Sequence, residues 1–202
     1  MMRLYDFLDS GNGYKVRLLL NQLGRTFELV LMDIDRGETR TEAFLRINPN
    51  GRIPVLEISP ERRLSESNAI LFYLAEGTPF LPEGAFERAQ VLQWMNFEQY
   101  SHEPNVATPR YWIRHGLMNE DKAPLLEQKR KQGYAALDVM EGHLSGKNFL
   151  VAGQYTIADI CLYAYTHVAE EGGFDLSAYP ALEIWLERIR NHPGHVPITW
   201  QP

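Results

Sequence analysis

Residues 52–56 (RIPVL) and 64–70 (LSESNAI) decide how this chain folds. The first segment is an apolar run typical of a β-strand, yet it contains Pro54. Proline cannot donate a ladder hydrogen bond, so it marks a strand start, an edge or a bend, and a cis peptide before it costs only about 0.5–1 kcal/mol. The second segment ends a short strand and begins a helix with the carboxylate of Glu66 beside the hydroxyl of Ser67. A bend next to a helix N-terminus is suited to a peptide-like anion.

Upstream of these segments, the chain alternates strand and helix. Residues 3–7 and 27–32 predict two strands, and apolar residues at helical spacing between Gly13 and a stop at Gly24 predict the helix that joins them. A strand, a helix and a strand within about thirty residues form a βαβ unit, whose right-handed crossover makes the two strands parallel. A short helical connector and then two strands and a helix complete the predicted order, βαβ-α-ββα.

A Pro- and Gly-rich stretch at residues 78–84 separates this α/β domain, residues 1–77, from a second domain at residues 85–202. Apolar residues recur at helical spacing throughout the second domain, which predicts an all-α architecture. Thr156 and Asp159 have the spacing of a capping box at the start of one of its helices. The sequence therefore predicts two domains of different class.

The composition is that of an ordinary globular protein. The net charge of −6 argues against nucleic acid as a partner. No run approaches the roughly 20 apolar residues of a membrane-spanning helix, and residues 1–6 lack the apolar core of a signal peptide, so we expect a cytoplasmic protein without a membrane partner. The single cysteine, Cys161, excludes an internal disulfide and a Cys-X-X-Cys redox pair, and we expect no metal site.

In their order and spacing, residues 52–56 and 64–70 resemble the glutathione site of cytosolic glutathione S-transferases of the bacterial theta-, Nu- and beta-like kind. The resemblance extends over essentially the whole chain, including the helix start at Thr156 and Asp159. It implies an N-terminal thioredoxin-like domain that binds glutathione, and an all-α C-terminal helical domain that carries the pocket for a second substrate. It also implies a homodimer, with glutathione as co-substrate.

The resemblance gives each residue of the two segments a role. Glu66 pairs with the γ-glutamyl ammonium of glutathione, and Ser67 takes the γ-glutamyl carboxylate at the positive end of the helix dipole. A cis bend between Ile53 and Pro54 presents the backbone of Ile53 to the cysteinyl residue of glutathione, like an added strand. Arg52 approaches the glycine end. Taken alone, Glu66 and Ser67 would be read as ordinary helix capping; their combination with Pro54 favours binding.

Activation of the glutathione thiol is expected from the loop after the first strand, residues 8–16 (LDSGNGYKV). A free cysteine thiol has a pKa of about 8.5, and hydrogen bonds to the thiolate lower that pKa. Ser10 occupies the place where theta-like transferases carry an activating serine, and Asn12 matches the Ser/Thr-X-Asn-Gly pattern of Nu-class enzymes. Tyr5 is a third candidate, because other classes use a tyrosine near the end of the first strand. Ser10 and Asn12 are also common turn and capping residues.

The pocket for the second substrate is expected on the first helix pair of the helical domain. An apolar electrophile needs aromatic walls with a few polar tips. The candidates that combine these properties are His102, Asn105, Arg110, Tyr111 and Trp112. A role in the domain core explains the same residue types equally well.

Together these features predict a glutathione S-transferase that stabilises the thiolate of glutathione and promotes its attack on a small electrophile, as in detoxification. The first alternative is a glutathione-dependent disulfide-bond reductase of the Nu kind. Because the loop contains no cysteine, glutathione itself would be the nucleophile on a disulfide substrate. The second alternative is a non-catalytic relative, such as a transcription partner or a ligand carrier.

Overall fold

The computed structural model describes residues 1–202 and divides into two units. The first unit is built on a four-stranded mixed sheet. Unit 1 comprises Met1–Thr78 together with Pro193–Pro202, and unit 2 comprises Pro79–His192. None of the helices combines the length and the apolar character that are needed to cross a bilayer.

The strands of the sheet are β1 (Met2–Asp6), β2 (Phe27–Leu31), β3 (Val55–Ser59) and β4 (Arg62–Ser65). They lie in the order β2-β1-β3-β4. Strand β1 is parallel to β2 and antiparallel to β3, which in turn is antiparallel to β4. The parallel pair confirms the predicted βαβ unit, and the antiparallel pair of β3 and β4 forms a hairpin.

The helices of unit 1 are α1 (Gly11–Gln22), α2 (Glu42–Leu45) and α3 (Ser67–Ala75), and a 3₁₀ turn precedes α2. Helices α1 and α3 pack against each other. Helix α1 stops before Gly24, whose φ of 61° is in the left-handed region where glycine carries no steric penalty. The predicted helix stop at this glycine is thereby confirmed.

The C-terminal segment, Pro193–Pro202, packs on unit 1 along one side of α1. The predicted division of the chain places this segment with the helical domain. The difference arises because backbone carbonyls of the segment accept hydrogen bonds from side chains of α1. These bonds run from Tyr14 Oη to Val196 O (2.7 Å), from Arg17 Nη1 to Ile198 O (2.7 Å) and Trp200 O (2.9 Å), and from Asn21 Nδ2 to Gly194 O (2.8 Å).

Unit 2 is helical throughout. Its helices are α4 (Ala85–Phe97), α5 (Glu103–Arg114), α6 (Lys122–Leu144), α7 (Ile157–Thr166) and α8 (Pro180–Arg190). Every residue of α7 is buried, so this helix forms the core of the unit. It begins with the predicted capping box, in which Thr156 accepts from a helix N–H and Asp159 accepts from the backbone of Thr156.

A π-helical turn, Glu98–His102, joins α4 to α5, so the helical chain does not end at Pro104. The sequence pattern predicts that this proline bends or ends the first helix. Pro104 lies in the first turn of α5. Because it has no N–H, it cannot donate to a carbonyl of the turn before it, and the chain accommodates this with the π-helical turn while it stays helical on both sides of the proline.

Candidate functional site

Ser10 ends the loop after β1 and caps α1. Its backbone is extended (φ −75°, ψ 121°), and its hydroxyl oxygen accepts a hydrogen bond from Gly13 N at 3.3 Å. This contact uses a lone pair of the oxygen and leaves the hydroxyl hydrogen to donate elsewhere. Ser10 can therefore cap the helix and still offer a donor to an anion at the start of α1.

A buried ion pair between Asp6 and Arg17 fixes the loop that leads to Ser10. Arg17 Nε lies 2.8 Å from Asp6 Oδ2, and neither side chain is exposed to solvent. The same carboxylate accepts from Phe7 N at 2.7 Å, and Arg17 Nη2 donates to Leu8 O at 2.8 Å. Burial raises the pKa of Asp6 to about 6, against the opposing effect of the Arg17 charge. The pair thus fixes the backbone just before Ser10.

Asn12 is the second residue of α1, and its side chain contacts two hydrogen-bond donors, Lys15 and Ser67. Asn12 Oδ1 is 2.8 Å from Lys15 Nζ and 3.1 Å from Ser67 Oγ, and the Lys15 and Ser67 atoms are 3.5 Å apart. Lys15 is fully buried and Ser67 nearly so. We call these three residues the Asn12 cluster. It joins the loop expected to activate a thiol to the helix start expected to bind the γ-glutamyl group.

Lys15 was not among the residues predicted from the sequence. A lysine within a helix usually extends into water, so its burial is not apparent from composition. The one available signal was its spacing from Asn12, because residues three apart lie on the same helix face.

At the start of α3, Glu66 has φ 67° and ψ 111°, an uncommon conformation for a residue other than glycine. Such a conformation costs on the order of 1–3 kcal/mol and is found most often at functional sites. Glu66 is exposed, and the next residue, Ser67, occupies the first helical position with its backbone N–H unpaired by the helix. The two residues therefore place a carboxylate beside a helix start, the arrangement on which the predicted γ-glutamyl site rests.

The Ile53–Pro54 peptide is cis, as predicted. Beside Ile53 lies a cavity of about 240 Å³, which is lined by two arginines, Arg40 and Arg52, together with Ile34, Thr39 and Gly51. The carbonyl of Arg52 accepts from Asn48 Nδ2 at 2.8 Å, which holds this part of the chain. Two arginines thus line the cavity, and arginine is the residue type best suited to bind a carboxylate.

Arg40 is the second candidate residue that sequence reasoning missed. It lies in a 3₁₀ turn, Glu38–Arg40, within a polar stretch whose composition indicates only a loop. Its Nη1 donates to Asn50 O at 3.1 Å, which ties Arg40 to the segment just before Arg52. Gly51 allows this approach, because a Cβ there would lie 2.5 Å from Arg40 Nη1.

Three of the predicted second-substrate residues are buried within unit 2 and have polar partners there. His102 Nε2 lies 2.9 Å from Thr166 Oγ1, and Arg110 Nε donates to Glu171 Oε2 at 2.8 Å. Asn105 donates to Ser101 O at 2.7 Å and also lines a cavity of about 510 Å³ beside α6. These contacts tie α5 to its neighbours.

The other two, Tyr111 and Trp112, are more accessible. Tyr111 is exposed and lies against the ring of His115, with 4.3 Å between the ring centroids. Trp112 is half-buried, and Lys122 Nζ lies 5.8 Å from its ring centroid. The five residues therefore form two groups rather than one cluster. Tyr5, the third thiol-activation candidate, packs edge-on against Phe44 within unit 1.

Two family models match the chain: "Glutathione S-transferase, N-terminal domain" over residues 1–76 and "Glutathione S-transferase, C-terminal domain" over residues 95–193. The chain is 32% identical to Disulfide-bond oxidoreductase YfcG of Escherichia coli (strain K12) over 201 residues, which cover 96% of this chain and 92% of that protein. These matches include both units and both segments from which the family resemblance was inferred.

Solved structures give the same result. A glutathione S-transferase from Pseudomonas fluorescens Pf-5 has a TM-score of 0.95 and 52% identity, with 98% of each chain covered. A glutathione transferase family member from the same strain, with two glutathione bound, has a TM-score of 0.83 and 26% identity, with 96% of this chain and 89% of that chain covered. The predicted pairing of a thioredoxin-like domain with a helical domain is confirmed. The chain belongs to the glutathione S-transferase family.

Proposed function

We propose that the protein is a glutathione S-transferase that binds glutathione in unit 1 and activates its thiol for attack on a small electrophile. The observation that carries this proposal is the 3.1 Å contact between Asn12 Oδ1 and Ser67 Oγ. It joins the residue proposed to face the thiol to the residue proposed to bind the γ-glutamyl carboxylate. A single tripeptide that spans both ends is the ligand that such an arrangement suits.

Recognition of glutathione is proposed to use three parts of unit 1: the Glu66 carboxylate, the start of α3 and a pair of arginines. The Glu66 carboxylate pairs with the γ-glutamyl ammonium, and Ser67 at the start of α3 takes the adjacent carboxylate. Arg40 and Arg52 take the glycine carboxylate in the cavity beside Ile53. The backbone of Ile53 pairs with the cysteinyl residue between them.

The thiol is proposed to ionise at the start of α1, where the Ser10 hydroxyl and the Asn12 amide can donate to sulfur. Lowering the thiol pKa by about two units requires about 2.7 kcal/mol, which is within reach of two donors and a helix N-terminus. The thiolate then attacks the electrophilic carbon. A sulfur–carbon bond forms, and the leaving group departs with its bonding electron pair. The thiol proton is released to solvent.

Tyr111 and Trp112 are proposed as aromatic walls for the second substrate, because both are at least partly accessible. His102, Asn105 and Arg110 were predicted for the same pocket. Their buried contacts support a role in holding α5, and through it the two aromatic residues, in place.

A second candidate function is reduction of disulfides by glutathione, and two observations favour it. The chain is 32% identical to a disulfide-bond oxidoreductase, and a 26% identical structure holds two glutathione molecules. In this reaction, the thiolate of one glutathione attacks the disulfide substrate, forms a mixed disulfide and releases one thiol. A second glutathione then attacks the mixed disulfide, which yields oxidised glutathione and the second thiol.

Calorimetric titration with glutathione, followed by rate measurements with an aryl halide and with hydroxyethyl disulfide, tests these functions. Faster turnover of the aryl halide supports the transferase, and faster turnover of the disulfide supports the reductase. Binding without turnover of either substrate, or no binding, would contradict both and favour a non-catalytic role. The Ser67→Ala variant is expected to weaken binding in either active case.

We further propose a cytoplasmic homodimer. Tyr100 is 88% exposed and lies with Phe97 and half-exposed Val139 around the 510 Å³ cavity of unit 2. Exposed apolar side chains grouped in this way are a candidate protein contact. Light scattering of the wild type and of Tyr100→Glu tests this proposal. A dimeric wild type and a more dissociated variant are expected, whereas a monomeric wild type would contradict it.

A further inference from the structure

Lys15 is fully buried in unit 1, on a helix whose apolar residues 18–20 are equally buried. Removing an ammonium group from water carries a penalty of several kcal/mol unless polar partners compensate it. A methionine would fill similar space without this penalty. The polar contacts of Lys15 include Asn12 Oδ1 at 2.8 Å and Ser67 Oγ at 3.5 Å, and both of these residues belong to the proposed glutathione site.

The chemistry of these contacts determines how the amide of Asn12 is oriented. An ammonium group has three donors and no acceptor, so the Asn12 atom 2.8 Å from it must be the oxygen. Ser67 donates to the same oxygen at 3.1 Å. The NH₂ group of Asn12 is consequently on the side of the amide away from both donors. Without Lys15, the amide could turn over at little steric cost, because its oxygen and nitrogen ends have nearly the same shape.

We infer that Lys15 is a positioning residue of the glutathione site, which fixes the Asn12 amide so that its NH₂ group, and not its oxygen, faces the sulfur of bound glutathione. This inference rests on the proposed function. An amide turned the other way would place a partial negative charge against the thiolate and remove the donor. Lys15 thus acts on the thiol through Asn12 rather than by touching the ligand.

The ionisation of bound glutathione tests this role, because ultraviolet absorbance of the thiolate can be followed against pH. Lys15→Met is expected to raise the pKa of the bound thiol by roughly one unit, a tenfold loss of thiolate at a given pH. Lys15→Gln is expected to give a smaller rise, since its amide can still donate to Asn12 Oδ1, and it serves if Lys15→Met does not fold. The control is Lys131→Met, which removes an exposed lysine of unit 2 and is expected to leave the thiol pKa unchanged.

A double-mutant cycle separates positioning from a direct effect of charge. In an Asn12→Ala background, replacement of Lys15 by Met or Gln is expected to cause no further rise of the thiol pKa. A further rise equal to that in the wild type would overturn the inference, because Lys15 would then act on the thiolate by its own charge. An unchanged thiol pKa in the single Lys15 variants would also overturn it.

Failure of this inference is distinguishable from failure of the proposed function. If the wild type does not bind glutathione in the calorimeter, the proposed function fails, and the inference fails with it. If the wild type binds and ionises glutathione but the Lys15 variants match the wild type, only the inference fails.

Discussion

Asp6 Oδ2 and Arg17 Nε lie 2.8 Å apart, and both side chains are completely buried. Arg17 makes three further hydrogen bonds, in which its Nη1 and Nη2 groups donate to the carbonyls of Leu8, Ile198 and Trp200. One side chain therefore holds three separate parts of unit 1: the end of β1, the loop before Ser10 and the segment 193–202.

Replacing Arg17 by methionine is expected to lower the free energy of unfolding by about 3–5 kcal/mol, because Asp6 would be left as an uncompensated buried charge. Urea denaturation measures the change. The matched control is Arg3→Met, whose ion pair with Glu28 is half exposed and is expected to contribute less than about 1 kcal/mol. Similar losses for the two variants would contradict this account.

Gly13→Ala is expected to disrupt unit 1. A Cβ at this position would lie 1.5 Å from Asp6 Oδ1, and the carboxylate cannot move aside without breaking its contact with Arg17. The control is Gly142→Ala in α6, where nothing lies within 4 Å of the added Cβ. This change is expected to stabilise the helix by roughly 0.5–1 kcal/mol. Thermal unfolding of both variants, with opposite shifts expected, is the measurement.

Arg40→Ala and Arg52→Ala are each expected to raise the KM for glutathione roughly tenfold or more, as expected for the loss of a charge-assisted hydrogen bond. The KM for γ-glutamylcysteine, which lacks the glycine carboxylate, is expected to change little. Arg36→Ala is the control, since the Arg36 side chain is 83% exposed and does not line the cavity. If both thiols were affected equally, the two arginines would not recognise the glycine end.

Ser10→Ala is expected to have two separable effects. Loss of the cap to Gly13 N lowers the free energy of unfolding by about 1 kcal/mol. Loss of the hydroxyl donor raises the pKa of the thiol of bound glutathione. Denaturation reports the first effect and thiolate absorbance the second. If stability fell while the thiol pKa stayed unchanged, Ser10 would act only as a helix cap, and Asn12 would be the donor that activates the thiol.

Asp159 is expected to make stability depend on pH, since burial raises the pKa of its carboxyl to about 6 against the hydrogen bonds it accepts from Leu150 N, Trp185 and Thr156. In the unfolded chain an aspartate titrates near 3.9, so between about pH 4 and pH 6 the native state binds more protons. The contribution of Asp159 to stability is therefore full at low pH and is lost as the pH rises through about 6.

The Asp159→Asn variant isolates this titration. The free energy of unfolding of the wild type minus that of the variant is expected to fall by about 3 kcal/mol from acidic to neutral pH and to stay level above that. Denaturation at several pH values gives the difference. A difference independent of pH would mean that the folded carboxyl titrates like the unfolded one.

The fold was largely predictable because its signals are local. Pro54 and the Glu66–Ser67 helix start lie within short segments, and the capping box at Thr156 is a pattern of four residues. The spacing of Lys15 from Asn12 is a local signal, but its burial against Ser67 is not, since Ser67 is 52 residues away and only the packing of α1 on α3 brings the two together. The attachment of residues 193–202 was equally hidden, because backbone carbonyls, which every residue carries, accept the bonds from Arg17.

That attachment has a consequence for biosynthesis. A chain leaves the ribosome from its N-terminus, and domains generally fold as they emerge. Unit 1 is discontinuous in sequence, because Pro193–Pro202 follows all of Pro79–His192. When the first 78 residues emerge, Tyr14, Arg17 and Asn21 still lack the carbonyls that they bind in the finished protein. Unit 1, although its first residues are made before those of unit 2, is therefore the last to be completed.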